Sequence, residues 1–503
     1  MKIDTIFRML MDYLMLGVTF LAMAIVGYLV WYFIFYRKIG KGTGNMRLGR
    51  FILRIVCLGY FGVVLSVTCA RLGSARHMAL LHPFQSYLEA WYSGEKGEWR
   101  NLIWNILMFV PIGVLLPLSI KKLRTGWKVV GIASLFSLAI ELFQYATGRG
   151  VYEMDDWINN TLGALLGYCF IHICMLLFEK WRTKKEGEDK KIGKSVVVHL
   201  IPWILVCLIG AGIFSAYKLQ PYGNQNCHYI YKINMKGKQV LFDTKQLEKL
   251  CVDQAQKQYG ISEEVLKKRQ SAVYQATVGT NKDARKYATE LFQQMGQEID
   301  ISTENRYDET VFYYAKNSQY HLQIEKKGMY YTYSDFGKDD EEENIKSVSG
   351  ASEQEVREAV KKLKVQIPKD AVFSEEENRY LFAVSEPMGQ KQWKMGDIYV
   401  EYYEDGTIRE LDNNVITYKK VGTEKIKSMN EIKADLQAGK FQIGASYGYE
   451  NKELQKGMKK LEVKELYLTY EMDSKGYYRP LYTVVADCGT KELLTFQMPA
   501  GKK

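Results

Sequence analysis

Acidic, amide and basic side chains are concentrated between residues 141 and 167, within a part of the chain that is otherwise strongly apolar. An ionisable group in the hydrocarbon core of a bilayer is costly unless it is paired or hydrated, so such groups usually face the interior of a helix bundle and mark a functional site. Carboxylates and amides there could bind a polar ligand, and Arg149 is the expected ion-pair partner of nearby acids. The candidate pocket residues are Asn105, Glu141, Gln144, Arg149, Asp155, Asp156 and Asn160.

The spacing of these residues predicts that they share helix faces. Glu141 follows Ser137 by four residues and precedes Gln144 by three, which places these side chains on one side of a helix. Asp156 and Asn160 are four residues apart and share a face in the same way. Carboxylates and amides from different helices are therefore expected to meet at one end of a bundle.

Small and helix-shaping residues accompany the polar ones. Asn105 is followed by Pro111 and Gly113 in the preceding apolar run. Gly163 and Gly167 continue the helix face that begins at Asp156, and small residues let a second helix approach closely. We expect Pro111 to shape its helix and the three glycines to set the packing distance.

Six apolar runs are close to the length that crosses a bilayer. The first run has no small-residue cleavage site before its basic flank, so it is expected to persist as a helix and not to be removed as a signal peptide. Residues 1–217 are therefore predicted to form an all-α six-helix transmembrane bundle. The runs cover approximately residues 14–36, 51–70, 102–120, 129–147, 158–178 and 196–217.

Basic residues predict the orientation of this bundle, because Lys and Arg accumulate in cytoplasmic loops. The loops at 37–50, 121–128 and 179–194 are rich in them, whereas Arg149 is the only basic residue in the loop at 148–157. Both termini are therefore expected on the extracytoplasmic side of a plasma membrane, and the polar residues would face outward. Membrane lipids are expected partners of such a multi-pass protein.

Residues 218–503 form the second expected domain, which would be extracytoplasmic. Short helices followed by alternating strands predict a soluble α+β domain of helix-plus-antiparallel-sheet units, three of them at about 224–335, 350–420 and 425–500. Ser352 and Glu355 form a capping box that predicts a helix start. Alternating runs on either side of Asp405 and Gly406 predict a β-hairpin. These units bear a weak resemblance to PepSY-like domains.

Several classes of function find no support in the sequence. The formal charge of +11 is accounted for by membrane topology and a wall-facing domain, and no module that recognises nucleic acid is present. The outer domain shows no phosphate loop, nucleophile elbow or metal-binding helix. We therefore predict that the protein uses no cofactor and no metal, and we assign no catalytic residue. Cys227, Cys251 and Cys488 allow one disulfide in that domain at most.

In combination, the motif residues resemble the VanZ-like family of membrane proteins. Five sequence elements in a fixed order carry the resemblance, over about residues 50–180. They are Asn, F-x-P-x-G, E-x-x-Q, Arg and D-D-x-x-x-N-T-x-G-x-x-x-G. Glu153 departs from the commonest form of the acidic run, in which an Asp is expected. The resemblance implies a determinant of glycopeptide resistance, associated with teicoplanin more than with vancomycin, and it implies no established enzymatic activity.

Several functions stay open at this point. The leading hypothesis is a non-enzymatic outer pocket that alters how the envelope of a Gram-positive bacterium interacts with lipoglycopeptide antibiotics, and a lipid-linked wall precursor or peptidoglycan would be its partner. The first alternative is a membrane-embedded enzyme acting on that precursor, with Glu141 as general base and Arg149 holding phosphate. The second is an envelope sensor that uses the outer domain. A polar network that only locks the helices together is the structural alternative.

Overall fold

The described part of the chain falls into two compact units, one ending at Pro221 and the other beginning at Tyr222. The first is helical and the second is rich in β-sheet. A computed structural model describes residues 19–39, 48–69, 77–186, 191–261, 263–307, 309–338, 350–363, 365–376, 379–386, 388, 391–403, 405–442, 458–489 and 493–502.

Long apolar helices build the first unit. Five of them, α2 and α4 to α7, are long and apolar enough to cross a membrane. A π-helical stretch, Trp31–Ile39, overlaps the end of α1 and extends beyond it. A 3-10 turn, Lys121–Leu123, follows α4. Two short strands, β1 (Ala79–Leu80) and β2 (Tyr152–Glu153), pair in parallel. The helices are α1 (Thr19–Ile34), α2 (Leu48–Cys69), α3 (Gln85–Ser93), α4 (Lys96–Ser119), α5 (Gly126–Thr147), α6 (Met154–Lys185) and α7 (Gly193–Leu219).

The helical membrane character of this unit is confirmed, whereas the count of six spans stays a prediction. The first expected span begins at residue 14, which lies outside the described residues, and α1 is shorter than the other apolar helices. The expected runs from 51, 102, 129, 158 and 196 all coincide with spanning helices. The short helix α3 was not predicted, because it lies in a loop whose composition is mixed.

Glycines set the distance between α4 and α6. A Cβ atom added at Gly163 would lie 2.0 Å from the carbonyl oxygen of Ile106, and one at Gly167 would lie 2.0 Å from that of Val110. A Cβ at Gly113 would come within 2.1 Å of a backbone carbonyl of α6. Since no side chain fits these gaps, the two backbones touch directly, which is how small residues promote helix association in membranes.

Local sequence signals also fix the ends of the helices near this contact. Asp155 and Asp156 lie in the first turn of α6 and basic residues lie in its last turn, so the charges complement the helix dipole at both ends. Gly148 ends α5 in the left-handed conformation, with φ 63°, which glycine adopts without steric cost. Pro111 lies within α4, as expected for a span whose neighbours support it.

In the part that the structure describes, the second unit contains one large sheet and five helices. The helices are α8 (Thr244–Tyr259), α9 (Glu263–Lys267), α10 (Asn281–Gln294), α11 (Glu353–Lys361) and α12 (Met429–Gln437). The strands are β3 (Gln239–Leu241), β4 (Gln270–Ala276), β5 (Ile299–Tyr307), β6 (Thr310–Ala315), β7 (Tyr320–Glu325), β8 (Tyr330–Asp335), β9 (Val372–Glu376), β10 (Arg379–Ser385), β11 (Gln392–Tyr402), β12 (Ile408–Asn413), β13 (Ile416–Lys425), β14 (Lys460–Met472), β15 (Tyr477–Asp487) and β16 (Leu494–Pro499).

Hydrogen bonds join these strands into a single 14-stranded sheet, mostly antiparallel. Its main path is β3-β14-β15-β4-β13-β11-β12-β8-β7-β6-β5, with β10, β9 and β16 added at its sides. Side chains alternate between the two faces of a strand. On β6, for example, Val311 and Tyr313 point inward and pack with Ala284 and Ala288 of α10, which gives this region its core.

The α+β nature predicted for this unit agrees with the structure. The capping box at Ser352 and Glu355 is present at the start of α11, and the predicted hairpin is the antiparallel pair β11–β12, with Gly406 at φ 79° in its turn. Helices α10, α11 and α12 each precede antiparallel strands, but those strands belong to one continuous sheet. The division into three units and the resemblance to PepSY-like domains stay predictions. All three cysteines of the second unit, Cys227, Cys251 and Cys488, are buried free thiols.

Candidate functional site

A group of polar side chains lies where α4, α5 and α6 meet, near one end of the helical unit. We call it the polar cluster, and it consists of Asn105, Ser137, Glu141, Asp156 and Asn160. Glu141 is only 1% exposed, and its Oε2 accepts a hydrogen bond of 3.0 Å from the backbone N–H at the start of α6. The Asn160 amide donates to the Ser137 hydroxyl over 2.9 Å, with both side chains buried.

Asn105 and Asp156 link α4 to α6. The Asn105 Nδ2 donates to Asp156 Oδ1 over 2.5 Å. Both residues are half-buried, in contrast to Glu141 and Asn160. The polar cluster is therefore more exposed at the end formed by Asn105 and Asp156 than at its interior end. The sequence-predicted residues Asn105, Glu141, Asp156 and Asn160 do come together.

Asp155 has a different role from the neighbouring Asp156. Its carboxylate is 2% exposed and turns toward α3, where Oδ1 accepts from the Phe84 backbone N–H over 2.5 Å and Oδ2 from that of Ser86 over 2.7 Å. The first N–H groups of a helix have no partner within the helix. Asp155 supplies those partners from another helix, and it holds Phe84 in the left-handed region at φ 64°. Such a backbone persists only where its surroundings fix it.

Sequence reasoning missed the contribution of α3 to this region. The Tyr87 hydroxyl donates to Asn159 Oδ1 over 2.5 Å, and Gln85 Nε2 donates to Glu89 Oε1 over 2.9 Å. The Ser86 hydroxyl donates to the Glu153 carboxylate over 3.2 Å. The spacing placed Ser137 on the same side of the helix as Glu141, but Ser137 was not among the predicted pocket residues. The one available signal for α3 was its run of aromatic and polar residues in a loop flanked by spans.

Gln144 and Arg149 lie apart from the polar cluster and contact the end of α2. Gln144 Nε2 donates to the Thr68 carbonyl over 2.9 Å, and Arg149 Nη1 to the Cys69 carbonyl over 3.4 Å. The ion pair expected of Arg149 with the acids of this region is not formed among the described residues. The left-handed Gly148 turns the chain at this point, so that the Arg149 side chain is exposed.

The electrostatics of the region are dominated by acidic side chains. Within the described residues, no ion pair involves any of five carboxylates in and around the polar cluster. Burial raises the pKa of Glu89 to about 7. The hydrogen bond from Gln85 lowers this pKa, and the charges of nearby acids raise it. Burial likewise raises the pKa of Tyr87 to about 12. The five carboxylates are those of Glu89, Glu98, Glu141, Asp155 and Asp156.

Two buried amides leave an atom without a hydrogen-bond partner. Asn159 Nδ2 and Asn160 Oδ1 are both unpaired within the described residues, although Asn159 is fully buried and Asn160 is 2% exposed. A buried polar atom without a partner costs about 1–3 kcal/mol, so each native instance needs an explanation. The arrangement offers hydrogen-bond acceptors and negative charge, which suits recognition of a donor-rich ligand.

The fold and this region define an integral membrane protein whose helical unit carries a buried, acid-rich polar cluster. Residues 23–177 match the family model described as VanZ/LLP1. The chain is also 34% identical over 113 residues to "Protein VanZ" of Enterococcus faecium, a match that covers 22% of this chain and 64% of that relative. The match thus spans less than two thirds of the relative's length. The predicted resemblance to the VanZ-like family is confirmed for residues 23–177, whereas residues 178–503 lie outside the family match.

Proposed function

We propose that this protein lowers the susceptibility of a Gram-positive cell to lipoglycopeptide antibiotics such as teicoplanin, without chemical catalysis, through the polar cluster. The observation that carries the proposal is the meeting of Glu141, Asp156 and Asn160 inside the segment that matches the VanZ/LLP1 family. An amide and two carboxylates within a helical membrane unit are costly, so a function is the expected reason for them.

The contacts of the polar cluster favour binding over catalysis. A general base alone does not make an enzyme, because the enzymatic alternative also needs a group that holds the phosphate of the substrate. Arg149, which the enzymatic alternative needs to hold phosphate, contacts a carbonyl of α2 instead. The distribution of basic residues predicts that the polar cluster faces the outside of the cell, where it could contact an antibiotic or a wall precursor.

Antibiotic susceptibility of a sensitive Gram-positive host tests this proposal. The strains would express the wild type, Glu141→Gln, Asp156→Asn or Glu186→Gln at matched membrane levels. Glu186 is an exposed residue beyond the far end of α6, so Glu186→Gln is a control for the same chemical change. We expect the wild type and Glu186→Gln to protect against teicoplanin more than against vancomycin, and both cluster variants to lose protection.

Two results would contradict the proposal. Absence of protection by the wild-type protein would show that the family-level role does not extend to this chain. The function would then have to be sought in residues 218–503. Equal protection by all four proteins would show that the polar cluster only supports the packing of the helices.

A further inference from the structure

We propose that the polar cluster binds a primary ammonium group, held by Glu141, Asp156 and Asn160. The inference rests on the proposed function and deepens it, since it names the chemistry of the ligand at the same site. The hydrogen-bonding atoms that the fold leaves available there point to this ligand.

Each of the three residues keeps one oxygen without a donor in the described part of the chain. Glu141 Oε2 is occupied by a backbone N–H, which leaves Oε1. Asp156 Oδ1 is occupied by Asn105, which leaves Oδ2. Asn160 uses its Nδ2 on Ser137, and its Oδ1 is a buried acceptor with no partner. The available atoms are therefore three acceptor oxygens, two of them on carboxylates.

Asn160 is close in the fold to both helices that carry the acids. Asn160 follows Asp156 by one helical turn on α6, so the two side chains share a face. Its amide nitrogen is held by Ser137, which precedes Glu141 by one turn on α5. Asn160 is only 2% exposed, so its oxygen has no access to bulk water. The Asn160 side chain thus joins α6 to α5, the two helices that carry the acids, and its unpaired oxygen is buried.

An ammonium group fits these acceptors better than other ligands do. It has three N–H donors and no acceptor, which matches three acceptor oxygens. Its single positive charge offsets one of the two neighbouring carboxylates, and hydrogen bonds between charged partners are the strong ones. A metal ion needs oxygen ligands at about 2.0–2.6 Å, which is shorter than a hydrogen bond between an ammonium nitrogen and an oxygen. Among the described residues no group of three His, Cys, Asp or Glu side chains is arranged to hold one.

The ligand would enter from the side of Asn105 and Asp156, which are half-buried while Glu141 and Asn160 are not accessible. The ammonium could belong to the headgroup of an amine lipid or to an amino sugar of an extracellular ligand. Both sources present the same –NH3⁺ group, so either one would make the same hydrogen bonds at the polar cluster. The experiment must therefore distinguish an amine lipid from an amino sugar.

Ligand-observed NMR on the full chain in nanodiscs of phosphatidylglycerol tests the inference. The probe is n-butylammonium, compared with butyltrimethylammonium, which has the charge but no N–H donor. We expect the wild type and Glu186→Gln to bind the first probe at least about tenfold more tightly than the second. Asp156→Asn, Glu141→Gln and Asn160→Leu should each weaken binding of n-butylammonium by at least about tenfold.

Two further arms identify the source of the ammonium. Displacement of the probe by glucosamine supports an amino sugar, and weaker probe binding in nanodiscs that contain phosphatidylethanolamine supports a lipid headgroup. The inference is overturned if n-butylammonium does not bind the wild type, if both probes bind equally, if the variants bind like the wild type, or if Mg²⁺ displaces the probe at the same site.

The results separate this inference from the proposed function. Loss of teicoplanin protection in the cluster variants, without ammonium binding by the wild type, would leave the function standing and reject the ligand. Ammonium binding that depends on the cluster, in a protein that gives no protection, would keep the ligand and reject the antibiotic role. Misfolded variants are recognised by comparing their thermal unfolding with that of Glu186→Gln.

Discussion

Asp155 on α6 caps α3 through the backbone amide of Phe84, over 2.5 Å. A helix cap normally comes from a residue next to the helix in sequence, whereas Asp155 lies 71 residues further along the chain. The short helix α3 is thus joined to α6 at the edge of the polar cluster. The adjacent carboxylate, Asp156, faces Asn105 on α4, so two consecutive acids serve two different helix contacts.

The substitution Asp155→Ala is expected to destabilise the helical unit by about 1–2 kcal/mol, because two partly buried N–H groups would lose their acceptor. Hydrogen exchange at residues 84–93 should increase, and thermal unfolding of the detergent-solubilised protein should shift down. Asp155→Asn keeps one acceptor oxygen and should give an intermediate loss. Unchanged exchange in α3 after Asp155→Ala would show that the cap does not hold the helix.

Gly163→Ala is expected to separate α4 from α6, because the new Cβ would lie 2.0 Å from the Ile106 carbonyl oxygen. Backbone atoms cannot rotate away, so we expect a loss of roughly 1–3 kcal/mol or more, as in overpacked cores. Gly131→Ala on α5 is the matched control, since nothing lies within 4 Å of its added Cβ. Thermal unfolding compares the two variants, and equal stability would argue against direct backbone contact.

The sequence predicted the parts of this arrangement that depend on local pattern. Apolar length predicted α2 and α4 to α7, and helical spacing placed Asp156 and Asn160 on one face of α6, because residues on one helix face are fixed by the 3.6-residue period. Gly163 was predicted to be a packing residue, and it lies against the backbone of α4.

Contacts that depend on tertiary structure could not be predicted. The cap of α3 by Asp155 joins residues far apart in sequence, and the two-residue strands β1 and β2 are too short to show a pattern. Arg149 was expected to pair with an acid. The direction of its side chain instead depends on the turn at Gly148, which ends α5. In the second unit the hairpin β11–β12 was predicted from alternation, whereas the pairing of β13 with the distant β4 was not.

Glu89 should make the stability of the helical unit depend on pH. Its pKa rises from 4.5 to about 7 on folding, mainly through burial. The folded state therefore binds more protons than the unfolded state between these values, and the free energy of unfolding falls as the pH rises through that window. Because Glu89 is partly exposed, we discount the loss to roughly 1 kcal/mol.

Glu89→Gln tests this dependence, because the amide cannot ionise. The variant should unfold at a higher temperature than the wild type at pH 8, and the difference should disappear below pH 4.5. Parallel melting curves of the two proteins over this range measure the effect. A constant difference at every pH would mean that packing of the amide, and not the charge of Glu89, causes it.

The distribution of basic residues predicts that the chain following α7 lies outside the cell. A fusion of alkaline phosphatase after Lys218, at the end of α7, should be enzymatically active, because this reporter folds only in an extracytoplasmic compartment. A fusion after Thr125, which precedes α5 in a basic loop, should be inactive, while green fluorescent protein at the same position should fluoresce. The opposite pattern would place the polar cluster at the cytoplasmic face. An antibiotic that acts outside the cell could then not reach it, and the proposed role would need a different site.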